Sequence, residues 1–477
     1  MEPGAIALAA ARGLHDCGVL SAFGVALGRL VGIADRQGGG RRLIWGSVAL
    51  AWLAAPAWLV LQAGEMSGDT TLHATLAAVP AALFDTGFGQ ALLLRLALLA
   101  VAVGLTVWRG GIAAAGMVLV TGAACVAQVR MGHAAAPDGP WQAQAFALHM
   151  LAAGAWIGGL LPLATGLGCD PARMARRFSL IGLVAVLVLA GTAFIQGAIL
   201  IGGLPGLLGS AYGHTILLKT GLFAVLLGFA ALHRFRLSPA LEGPRAARAV
   251  VLMRRSILAE ACVGAVTIVV AAWLAALPPG AHEQPIWPLS WQPYWAALDD
   301  PDIAARLWAG GGAIAVSVVC ALGALRWRAS GLAAVATFAV AIGLIVPRLG
   351  ALTAPAYPTS FFESPTGFTK ASVVAGAVLY QAHCIACHGP RGFGDGPRAS
   401  GLPVRPAPLT GFHLLERSDG EMFWLLTNGI ATAKAVVTMP AFAAELTEDQ
   451  RWVVIDYVRT LAGAEPGDAP AASHHHH

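Results

Sequence analysis

Residues 179–202 read SLIGLVAVLVLAGTAFIQGAILIG and follow directly on Arg173, Arg176 and Arg177. The run carries no charged residue, and it exceeds the roughly 20 residues that an α-helix needs to cross a bilayer. A surface helix of a soluble domain would set a polar face against its apolar stripe; this run has none. Runs of the same kind recur at 8–33, 43–63, 90–108, 111–130, 143–167, 214–234, 254–277, 306–326 and 330–347. The whole chain of 477 residues is 57% hydrophobic and 12% charged, whereas a soluble domain carries about 25% charged residues. The expected fold class is therefore all-α, a polytopic helical membrane bundle of about ten spans. Disorder and a disulfide scaffold are excluded by the apolar composition and by a content of only 7 Cys.

The loops between the runs alternate in charge. Arg36, Arg41 and Arg42, then Arg109, then Arg173, Arg176 and Arg177 fall on one side. Arg234, Arg236, Arg245, Arg248, Arg254 and Arg255 fall there too, with Arg326 and Arg328. The other side carries Glu65, Asp69, Asp85, Asp138, Glu283, Asp299, Asp300 and Asp302. Arg-rich loops stay in the cytoplasm, so both termini are expected outside, in the periplasm of a Gram-negative host. The net charge of +5 rests on Arg, since Lys219, Lys370 and Lys434 are the only lysines. That charge sets topology and gives no sign of a nucleic-acid partner. The first apolar run is expected to stay as a helix, and His474 to His477 read as a tag stub.

After Pro347 the composition changes. Residues 348–369 form a Pro-rich linker, 370–465 a tail of ordinary charge density, and 466–477 a disordered end with the tag. Residues 1–277 then make an eight-span domain, and 278–347 an outside loop with two further spans. Within the tail stands Cys384-Ile385-Ala386-Cys387-His388. Two thiols at this spacing can form thioethers to both vinyl groups of one haem, and the adjacent imidazole reaches the iron. A zinc site would need a second Cys pair, which the tail lacks. Tyr380 to His383 precede the motif. Gly389 to Pro397, Pro406 to Thr410, Met439-Pro440-Ala441-Phe442 and an amphipathic run from Asp449 to Leu461 follow it. Over its whole length the tail resembles a class I c-type cytochrome, which implies haem c as cofactor. Met439 is the expected sixth ligand, since a thioether raises the iron potential. Met422 reads as core, His383 is too near the attachment site to reach the opposite haem face, and His413 is a weaker rival.

Ionisable side chains inside spans are costly and are functional candidates by default. Placed by depth, His15, Asp16, Arg95, Met131, His133, His149, Met150, Gln196, His214 and Lys219 fall in the outer part of the spans, with Met66 nearby. His15, His133 and His149, with Met66, Met131 and Met150, form a candidate copper or haem b site, because imidazole binds either metal and thioether favours Cu(I). Cys17 is a further soft donor close to His15, whereas Cys125, Cys169, Cys262 and Cys320 read as packing residues. Glu260 and His233 stand apart on the inner side. For Glu260 the plain expectation is a helix-end ion pair with Arg254 or Arg255.

Several stretches resemble the copper resistance protein D family. They are Ala63 to Gly68, Gly132-His133-Ala134, Leu148 to Leu160, Tyr212-Gly213-His214 through Lys219, and Arg255 through Glu260 to Pro278-Pro279. The resemblance implies an eight-helix membrane domain linked to copper movement, working beside a periplasmic copper-binding partner. The chain departs from the family in its two added spans, its haem tail, and His233-Arg234 where Asn-Arg is expected. Three functions stay open. One is copper uptake or handling across the inner membrane, with haem c as electron source for Cu(II). Another is a membrane oxidoreductase passing electrons between haem b or quinol and haem c. The third is a cytochrome c on a membrane anchor.

Overall fold

The computed structural model describes residues 3–33, 39–68, 71–131, 140–168, 170–327, 331–432 and 436–467. Among these, ten helical stretches are long and apolar enough to cross a membrane, and they coincide with the ten runs marked in the sequence. The chain is a multi-pass membrane protein.

The first compact unit ends at Glu283. Its helices are α1 (Pro3–Leu30), α2 (Gly39–Ser67), α3 (Leu72–Phe84), α4 (Gly87–Leu105) and α5 (Gly111–Val126). They continue with α6 (Pro140–Trp156), α7 (Leu160–Gly166), α8 (Pro171–Leu200), α9 (Gly203–Gly209), α10 (Ala211–Leu232) and α11 (Ala246–Leu274). Starts are marked by local chemistry. Thr86 caps α4 by accepting from Gly89 N, and Asp170 caps α8 from Arg173 N with Pro171 in the first turn.

Helix α1 lies at the centre, packed against α2, α5, α6 and α11. Small residues permit this. A Cβ added at Gly18 would sit 2.6 Å from Ser47 O on α2, and one at Gly24 would sit 2.1 Å from the Gly158 carbonyl carbon. Close backbone approach of this kind is how membrane helices pack without a hydrophobic driving force. The same approach takes His15 and Asp16 on α1 out of contact with lipid and water.

Two features depart from the sequence expectation. The Glu65–Asp85 loop contains α3, a short apolar helix with Pro80 inside it. The fifth span is broken between Trp156 and Leu160, giving α6 and α7; Gly158 and Gly159 stand at the break, and glycine weakens a helix interior.

The second unit begins at Gln284. It holds α12 (Pro301–Trp327), α13 (Leu332–Ile345), α14 (Lys370–His383), α15 (Asp419–Asn428) and α16 (Glu448–Leu461). Strand β1 (Trp291–Pro293) pairs antiparallel with β2 (Thr353–Pro355), so the Pro-rich linker is ordered against the loop before α12. Trp287 donates its backbone N–H to Pro358 O and packs its ring on Phe361 at 4.8 Å. The linker also docks on α15. Ser418 donates to Ser360 O, Thr359 to Gly420 O, and Gln292 to Glu421 Oε1 at 2.9 Å. In the tail, α14 crosses α16 so closely that a Cβ on Gly376 would lie 1.9 Å from Val453 O. Tyr380, Met422, Phe423, Leu426, Phe442, Trp452 and Ile455 fill the core between them.

Candidate functional site

Cys384 caps α14, and Ile385–His388 adds one further helical turn. His388 N and Cys387 N both donate to Cys384 O, at 3.0 and 3.2 Å. Residues three and four apart on a helical turn share a face, so the two sulfurs and the imidazole project together. The segment after the motif wraps this turn. Gly394 N donates to His388 O, Gly396 N to Cys387 O and Arg398 N to Ala386 O, while Tyr380 Oη donates to Gly389 O at 2.8 Å. Gly389, at φ +76°, makes the reversal that brings the wrap back over the turn.

The electrostatics suit a covalently held haem. Burial, with Cys387 beside it, pushes the Cys384 thiol up to about 11. Such a thiol resists ionisation, and as a thioether it has no proton to lose. Burial also lowers the His388 imidazole, against an opposing pull from the Ala407 carbonyl. His388 Nδ1 is buried and lacks a well-aligned hydrogen bond. A neutral ring has a nitrogen lone pair free to ligate a metal.

The rival sixth ligands are accounted for. His383 Nδ1 lies 3.3 Å from Glu445 Oε2 with its ring against Phe442, His413 is exposed, and Met422 is core. Met439 is half-buried at the end of β3 (Val437–Met439), pairs with Ile430 and packs on the tail core.

In the first unit the polar residues of α1 meet Arg95 of α4. Arg95 Nη2 donates to Asp16 Oδ1 at 2.8 Å, and Nη1 donates to Gln128 Oε1. The same Nη1 lies 4.0 Å from Met131 Sδ, and Arg12 Nε stands 3.9 Å from Asp16 Oδ2. His15 Nδ1 bonds Ala51 O at 2.8 Å, which leaves Nε2 buried without a partner. Its ring rests 5.2 Å from Trp58, which also contacts Phe88 and lies under Arg12. Met131 belongs to the same apolar cluster around Trp58.

The sequence-derived copper or haem b cluster is only partly gathered. His15 and Met131 share Trp58 and Arg95 as surroundings. His149 instead bonds Thr192 Oγ1 on α8 at 2.9 Å, Met150 is buried in the main core, and Met66 is exposed at the end of α2. The reason is rotational: neighbouring depth does not put side chains on facing helix surfaces. His133 lies outside the described residues, and so does Cys169. Among the described residues no three His, Cys, Asp or Glu side chains are placed to hold a metal ion. His214 is exposed and bonds Leu208 O. Trp58, Gln128 and Thr192 carried no signal in the sequence, since each is chemically ordinary and is recruited by packing.

Glu260 corrects a further expectation. It is not at a helix end and does not pair with Arg254, whose Nε donates to Ala164 O. It accepts from Trp156 Nε1 at 3.1 Å, and its Oε2 lies 3.2 Å from His233 Nδ1.

Comparison with known proteins agrees with this division. The family description "Copper resistance protein D-like, N-terminal domain" matches residues 2–144, and "Copper resistance protein D" matches 172–274. "Cytochrome C oxidase, cbb3-type, subunit III" matches 371–458. Copper resistance protein D of Pseudomonas syringae pv. tomato is 29% identical over 291 residues, which is 54% of this chain and 92% of that protein. Inner membrane protein YebZ of Escherichia coli K12 is 32% identical over 142 residues, 28% of this chain and 48% of that protein. No solved structure matches. The chain thus carries the domains of the copper resistance protein D family in its membrane half and a cytochrome c domain, with the haem c that such a domain implies, at its C-terminal end.

Proposed function

We propose that this is an inner-membrane copper-handling protein whose haem c domain faces the periplasm and transfers electrons to copper. A haem held by the tail would supply one-electron chemistry: its reduced iron would give one electron to Cu(II), forming Cu(I), with an external redox partner as the electron source. Reduction suits onward handling, because it moves the metal's preference from imidazole toward thioether. The single observation that carries the reading is covalent: a CxxCH turn and copper resistance protein D domains occur in one polypeptide.

The residues have definite roles in this reading. Cys384 and Cys387 would anchor the haem, and His388 and Met439 would hold its iron. The unpartnered Nε2 of His15 and the Met131 thioether are the donors on the membrane side, with His133 following Met131 in the chain. Asp16 neutralises Arg95, which would otherwise repel a metal cation from these donors. A periplasmic copper-binding protein is the partner class that fits. Metal and haem analysis of the purified full chain tests the reading. One covalent haem per polypeptide, with copper that is lost in His15→Ala and Met131→Leu, supports it. Haem without any retained copper overturns it.

A further inference from the structure

Two breaks in regular helix meet at one buried carboxylate. The fifth span is interrupted just after Trp156, and α10 passes into a π-helical turn at His233–Leu237. Such turns are rare and concentrate at functional positions. Glu260, midway along α11 and 1% exposed, accepts from Trp156 and lies against His233. The other ring nitrogen of His233 bonds Ser256 Oγ at 2.8 Å. Ser256 is half-buried, and the His233 side chain is 12% exposed. Ser256 and His233 are therefore both more accessible than Glu260.

We propose that Ser256, His233 and Glu260 form a proton relay, with Glu260 as the buried proton-binding site. A proton taken up at His233 Nε2 leaves a proton on Nδ1 to pass to Glu260 Oε2, and the imidazole returns to neutral. The reverse order discharges it, so charge and atoms balance with water as donor and acceptor. The donor set favours a proton over a metal. One carboxylate and one imidazole are present, an indole N–H cannot ligate, and no third His, Cys, Asp or Glu completes a metal site among the described residues.

The surroundings leave this pair electrostatically distinct. On α11, Arg254 is turned to Ala164 O, and Arg248 and Arg255 are the other charges. On the π-helical turn, Arg234 donates to Ser179 Oγ and Arg236 follows it. Helix α7 brings no charged residue. Helix α10 brings His214 and Lys219 near its far end. Helix α1 carries Arg12, His15 and Asp16 at the level of Gly13, which packs on Val269, about 13 Å along α11 from Glu260. Arg29, near the other end of α1, points to Met117.

The inference needs the chain to span a membrane but does not depend on copper handling. The test is infrared difference titration of the full-length haem-loaded protein in lipid. A protonated-carboxyl C=O band should rise and fall reversibly with pH and vanish in Glu260→Gln. Its midpoint should shift in His233→Asn, which removes the ring nitrogen facing Glu260 Oε2. Trp156→Phe should shift it too. If Glu260→Gln misfolds, the His233 and Trp156 variants still decide. A wild-type spectrum with no titrating carboxyl band, or a band whose midpoint ignores both variants, overturns the relay.

Discussion

Arg95 and Asp16 form a buried ion pair at 2.8 Å, with the arginine side chain wholly shielded from solvent. The pair joins α4 to α1, the helix at the centre of the membrane domain. Removing one partner strands the other charge in low dielectric, which costs about 3–5 kcal/mol. Asp16→Asn or Arg95→Leu should each lower the thermal midpoint of the lipid-embedded protein strongly. The double variant should lose less than the sum, since partners in one network are not additive.

Covalent haem should depend on Cys384 and Cys387 alone. Changing both to Ala should abolish haem-linked mass and unfold the tail. Met439→Ala should leave the haem attached and lower its potential, because the thioether favours the reduced iron. A redox titration that gives the wild-type potential for Met439→Ala would refute the ligand assignment.

Gly420 is the point where the linker seats. A Cβ there would lie 1.7 Å from Thr359 O, a backbone atom that cannot swing aside. Gly420→Ala should cost about 1–3 kcal/mol of local overpacking and open residues 353–364 to protease. Cleavage no faster than in the parent protein would mean that the linker seat is not formed.

Asp456 gives the tail a pH signature. Burial raises its carboxyl, against hydrogen bonds from Ser372 and from Thr366, the latter at 2.5 Å. A raised folded value means the group stabilises fully below the unfolded carboxylate range, and that contribution is lost as pH rises through the folded value. Haem-band melting of the full chain should therefore weaken across that window. In Asp456→Asn the slope should flatten.

Much of the architecture was legible because bilayer crossing demands long apolar runs, and each of the ten appears where the run lies. The haem turn was legible because its chemistry is contiguous in sequence. The membrane cluster was not, for a physical reason. Depth can be counted along a helix, but the facing surface depends on rotation, which sent His149 to Thr192 and away from His15. Glu260 was assigned the wrong partner, since the π-helical turn that brings His233 to it leaves no periodic trace. The α3 helix was hidden among acidic loop residues, and the linker's strand pairing with 291–293 joins segments far apart in the chain.

Whether an electron from the tail reaches copper is measured directly by rapid mixing. Reduced full-length protein in lipid, freed of excess reductant under anaerobic conditions, is mixed with Cu(II) and a Cu(I)-specific chelator. The reduced haem band should disappear as Cu(I) forms in equal amount, and His15→Ala should slow both together. Haem that stays reduced while Cu(II) is in excess, or oxidises without forming Cu(I), would contradict this electron transfer.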